Sequence, residues 1–90
     1  MQQSILENRV KALICETLGV KEEDVKPEVR FDADLGADPL DLIEIIMACE
    51  DEWCVHITED EAEAAYTYGL LVDLISRKVA EKAMRGGRGE

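Results

Sequence analysis

The sequence predicts an all-α domain, a four-helix bundle of three main helices and one short helix with a long loop after helix one. Three observations carry this. Apolar residues recur at three- and four-residue steps in three separate stretches. A helix-start signal stands ahead of each helix: Ser4 with Glu7, Asp38-Pro39, Thr58 with Glu61, and Thr67. The one alternation of strand type, Cys54 to Thr58, is brief and lies between two of these signals.

In order along the chain, Ser4 and Glu7 have the form of a capping box, and Leu6, Val10, Leu13, Ile14 and Thr17 then follow at helical spacing, so the first helix is expected from about Ile5 to Leu18. Gly19 supplies the stop. Residues 20–37 hold Pro27 and many charges without a sustained period, and read as a connection pinned to the core by Val25, Phe31 and Leu35.

The second helix starts at Asp38-Pro39. Proline costs about 3 kcal/mol inside a helix but is well suited to its first position, where the missing N–H had no partner. It also pushes the preceding residue out of the α region, which is what an N-cap requires. Asp38 is the expected cap, Asp41 adds negative charge in the first turn, and the helix runs to about Trp53. Thr58 and Glu61 open a short helix to about Ala65, and Thr67 caps a last helix carrying Leu70, Leu71, Leu74, Ile75 and Val79 to about Ala83. The domain is thus expected over 1–83, with 84–90 a flexible C-terminal tail whose single Arg-Gly-Gly-Arg stretch reads as a frayed end.

The net charge of −11, from 21 acidic and 10 basic residues, argues against a nucleic-acid partner, since phosphate affinity needs clustered Lys and Arg. At 47% apolar residues the chain still buries a core. It lacks a run long enough to span a membrane, and its first residues lack the basic, apolar start of a signal peptide, so it is expected to be soluble and cytoplasmic. Cys15, Cys49 and Cys54 are an odd, sparse set that reads as reduced thiols. The spacing of Cys49, Cys54 and His56 matches no zinc signature and a fourth ligand is missing, so no metal site is expected.

The second helix carries two apolar faces. At 100° per residue, Leu42, Ile45, Ile46, Cys49 and Trp53 fall within about 100° of one another, the width of a core-facing stripe. Leu40, Ile43 and Met47 form a second stripe roughly 130° away, beside Glu44, Glu50 and Asp51. Lying off the core-facing side, this stripe is expected to be at least partly exposed; at about 1.5–3 kcal/mol per fully buried side chain, three wet residues would forgo several kcal/mol, so a partner is expected to cover it. Between Phe31 and Ser76 there are thirteen acids and no Lys or Arg. A partner with a basic docking patch fits that surface, the acids steering encounter and the apolar residues supplying contact area.

The segment Asp34-Leu35-Gly36-Ala37-Asp38-Pro39-Leu40-Asp41 resembles the Asp-Leu-Gly-Ala-Asp-Ser-Leu-Asp signature of acyl carrier proteins at seven of its eight positions. The likeness extends from Val10-Lys11 and Leu18-Gly19-Val20 through Glu44, Met47-Ala48 and Ile57 to the Glu59-Asp60-Glu61-Ala62-Glu63 run and Asp73. The resemblance implies an acyl-carrier-like four-helix bundle that is not an enzyme. It also implies a role in fatty acid or related acyl-chain metabolism, with helix two as the surface that acyl-chain synthesis or transfer enzymes recognise. On it, Asp38, Leu40, Asp41, Ile43, Glu44, Met47, Glu50 and Asp51 are the expected partner-binding residues. In the family the signature serine carries 4′-phosphopantetheine through a phosphodiester, and Pro39 stands at that place without a hydroxyl.

The resemblance therefore implies a non-carrying homologue with no cofactor, or a genuine carrier whose serine has been replaced through engineering or sequence variation. An acidic divalent-cation-binding or regulatory module is a further alternative. However, Asp32, Asp34, Gly36, Asp38, Asp41 and Glu44 fit an EF-hand loop poorly, with the glycine one position early and Ile43 where the bidentate Glu belongs. With a single histidine and no acid–base or nucleophile constellation, catalytic residues are not expected. A monomer is expected, although an exposed stripe can pair with itself.

Overall fold

The computed structural model describes residues 2–86, with side-chain surroundings over 4–84. Four α-helices follow in order: α1 Gln2–Leu18, α2 Pro39–Trp53, α3 Glu59–Ala64 and α4 Tyr68–Gly86. α1 packs against α2 and α4, and α3 against α4. The fold is the all-α bundle expected, with the long connection after α1.

Two helix ends differ from expectation. α1 begins at Gln2, so Ser4 lies inside the helix and does not open it. Glutamine is a better helix former than serine, and the extra residues upstream extend the helix past the Ser4–Glu7 pattern. At the other end α4 continues to Gly86, beyond Ala83, and residues 87–90 of the expected tail lie outside the described residues.

The stop at Gly19 holds: its φ is +72°, and its N–H donates to the Cys15 carbonyl at 2.8 Å. The connection then makes a 3-10 turn over Glu22–Asp24 and drops Val25, Phe31 and Ala37 into the core, with Leu35 half-buried. Its second half is laced to the α3–α4 link. Phe31 N–H donates to the Tyr66 carbonyl at 3.1 Å, Tyr68 N–H to Val29 at 3.1 Å, and Gly69 N–H to Pro27 at 2.9 Å. Among the described residues this pairing holds the only β-like feature, an isolated antiparallel bridge between Arg30 and Thr67.

The core gathers Val10, Leu13 and Ile14 of α1, Ile45 and Cys49 of α2, and Leu71, Val72, Leu74 and Ile75 of α4 around Phe31. Burial of that apolar surface is the main stabilising term. The phenol of Tyr68 is buried with it and donates to the Glu7 carbonyl at 2.7 Å, and burial, with Glu7 nearby, pushes its pKa up to about 12. Cations from α1 and α4 hold the backs of the acidic helices: Arg9 meets Glu52 at 3.0 Å, Lys78 meets Glu61 at 2.9 Å, and Lys82 donates to the Trp53 carbonyl at 3.1 Å.

Candidate functional site

The start of α2 is built by backbone geometry and two carboxylates. Gly36, at φ +73°, takes a conformation that side chains disfavour and turns the chain so that Ala37 is buried and Asp38 emerges extended, at φ −95° and ψ 174°. Asp38 Oδ1 accepts from the Asp41 N–H at 2.9 Å, and Asp41 Oδ2 accepts from the Asp38 N–H at 3.2 Å. This is a reciprocal capping box made by two aspartates. Pro39 fills the first helical position, exposed to solvent. Asp41 thus does more than add the first-turn charge expected from its position. A capping box is usually sought as S/T-x-x-E, and widening that pattern to D-x-x-D would have found this one.

Beyond the cap, α2 presents its two faces as the spacing requires. Ile45 and Cys49 are buried at 1% and 0% exposure, whereas Leu40, Ile43 and Met47 stand 69%, 53% and 56% exposed. Glu44 and Asp51 are exposed beside them and Asp41 is half-buried. Glu50 turns toward the α2–α3 loop, where its carboxylate accepts from the Ile57 N–H at 2.8 Å and lies 3.6 Å from His56 Nδ1. Of the core-facing stripe, Leu42, Ile46 and Trp53 are only half-buried. Leu42 and Ile46 wall a groove of about 900 Å³ between α2, α3 and the connection, floored by Phe31, Ile45, Ile57 and Leu71.

Tyr66 and Arg30 stand at the rim of this groove, the Arg30 guanidinium 4.9 Å from the Tyr66 ring centroid. Arg30 also pairs with Asp32 at 3.1 Å, which holds the Asp32 carboxyl below its ordinary value, with help from the Ala33 N–H. Sequence reasoning missed this corner because it joins two loops distant along the chain and carries no local motif.

Hydroxyls near α2 are few. Thr58 Oγ1 accepts from the Glu61 N–H at 3.1 Å, and Thr67 Oγ1 from the Leu70 N–H at 3.1 Å, so both serve as helix caps. None of the residues of α2 carries a hydroxyl. Among the described residues no group of three or more His, Cys, Asp or Glu is arranged to hold a metal ion, and no helix is long and apolar enough to cross a membrane. Cys49 is buried, and burial, with Glu52 and Glu50 nearby, pushes its thiol up to about 12, whereas Cys54 and His56 are exposed.

A family model described as a phosphopantetheine attachment site matches residues 8–75. An acyl carrier protein from Enterococcus faecalis has a similar solved structure, with a TM-score of 0.75 and 26% identity over 87% of this chain and 99% of that one. The chain belongs to the acyl carrier protein family. Acyl carrier proteins are carriers that interact with acyl-chain enzymes, and the phosphopantetheine group is their usual load. A phosphodiester to that group needs a hydroxyl oxygen at the start of α2. Pro39 has a ring methylene instead, so the residues present there do not fit the group.

Proposed function

We propose that this chain is a non-carrying acyl carrier homologue of cytoplasmic fatty acid or related acyl-chain metabolism, which docks partner enzymes through α2 and bears no 4′-phosphopantetheine. The observation that carries the reading is the conjunction at α2 of an exposed Leu40, Ile43 and Met47 stripe with a first position that lacks a nucleophile. Asp38, Asp41, Glu44 and Asp51 frame that stripe with negative charge, and the chain between Phe31 and Ser76 supplies no Lys or Arg to neutralise them.

An enzyme patch of Lys and Arg around an apolar hollow complements this surface: the charges accelerate and orient encounter, and the apolar side chains supply most of the contact energy. The same charges oppose pairing of two copies stripe to stripe, which supports a monomer.

The test is binding of the chain to a phosphopantetheinyl transferase or another acyl-chain enzyme across a salt series, with Glu44→Lys alongside. Glu44 is exposed, so the variant retains the fold while placing a cation against the basic patch. Affinity should fall with added salt and fall again in the variant. Affinity indifferent to both would place the interface elsewhere.

A further inference from the structure

We propose that the chain acts as a competitive blocker of its serine-bearing relatives, occupying the carrier-binding surface of a partner enzyme in a complex from which no group transfer can proceed. This rests on the docking reading above and adds a regulatory consequence to it.

Two features of α2 separate recognition from chemistry. The cap that fixes the helix start uses the backbone N–H groups of Asp38 and Asp41 and their two carboxylates, and takes nothing from the side chain at position 39. Proline is suited to a first helical position, so its presence preserves the entry angle of α2 and the placement of Leu40, Ile43, Glu44 and Met47. The surface is therefore held ready while the reacting atom is removed.

An enzyme that grips α2 and brings its reactive centre to the start of that helix meets a ring methylene on this chain, and no bond forms. The nearby hydroxyls of Thr58 and Thr67 are engaged as caps at the starts of α3 and α4, and neither they nor the Tyr66 phenol stands at the first position of α2. Such a complex sequesters enzyme by mass action alone. It raises the apparent KM for the true carrier by the factor one plus the ratio of chain concentration to its Kd, and leaves kcat untouched.

The experiment uses a phosphopantetheinyl transferase, coenzyme A and a serine-bearing acyl carrier protein, whose hydroxyl attacks the coenzyme's pyrophosphate with release of adenosine 3′,5′-bisphosphate. Initial rates are measured against carrier concentration with increasing amounts of this chain, and its direct Kd for the transferase is measured separately. We expect the apparent KM to rise about twofold when the chain is present at its Kd, with kcat constant, and Glu44→Lys to abolish the rise. Unchanged rates at concentrations where direct binding is saturated would overturn the blocking role while leaving docking intact. Absence of direct binding would overturn both. A fall in kcat with constant KM would also overturn the proposal, because it would mean that the chain and the carrier bind at different places.

Discussion

Ile45 and Ile43 are two residues apart on α2 and the same side chain, yet the structure gives them opposite surroundings. Ile45 is 1% exposed within the cluster formed by α1, α2 and α4, whereas Ile43 is 53% exposed. Truncating a fully buried isoleucine to alanine removes its transfer free energy and leaves a cavity, together about 2–5 kcal/mol. For a domain of this size, total stability is on the order of 5–13 kcal/mol, so Ile45→Ala should remove a large share of it and lower Tm by on the order of 10–30 °C. Ile43→Ala loses only part of an exposed side chain and gains helix propensity, and should stay within about 0.5 kcal/mol of the parent. Urea unfolding followed by far-UV circular dichroism measures both. Equal losses in the two variants, or a larger loss in Ile43→Ala, would refute the assignment of the two faces and with it the claim that the Leu40, Ile43 and Met47 stripe is free for partners.

Other expectations concern the short helix and the thiols. Thr58→Ala removes the hydroxyl that accepts from Glu61 N–H and should cost about 1 kcal/mol, seen as a lower urea midpoint. Glu61 accepts from the Thr58 N–H and pairs with Lys78, which holds its pKa below the ordinary value of 4.5. A carboxylate depressed in the folded state stabilises above its unfolded pKa, and that contribution fades as pH falls from about 4.5 through the lower folded value. Stability in Glu61→Gln should therefore depend less on pH over that acid range. Maleimide labelling at neutral pH followed by peptide mass analysis should modify the exposed Cys54 first and leave the buried Cys49 unreacted until the chain unfolds.

Much of this architecture was legible because it is written locally. Thr58 and Glu61 sit three residues apart and close on each other as their spacing dictates, and Asp38-Pro39 fixes a helix start through steric and hydrogen-bond constraints confined to adjacent residues. The same local logic failed at Ser4 and Glu7, because a four-residue pattern cannot tell a helix start from a helix interior when good helix formers lie upstream. The two faces of α2 were legible as directions. How far each residue is buried was not, since that depends on which element closes over it: Leu42 and Ile46 point inward yet stay half-buried because they wall a groove. Glu50 could be placed near the acidic surface, but its bond to Ile57 N–H arises from the left-handed turn at Cys54, φ 54°, which brings the loop back onto α2. The contact of Arg30 with Tyr66 lay beyond any local pattern because it joins two loops distant along the chain.

On the reading proposed above, α2 keeps the carrier's recognition surface and lacks its attachment atom. Intact mass before and after incubation with coenzyme A and a promiscuous phosphopantetheinyl transferase tests it most directly, with Pro39→Ser in parallel. The exposed first position and the side-chain-independent cap allow serine without rebuilding the helix start. The expected result is no mass gain on the unaltered chain and one phosphopantetheine on the variant. A gain on the unaltered chain, or none on the variant, would overturn this reading of α2.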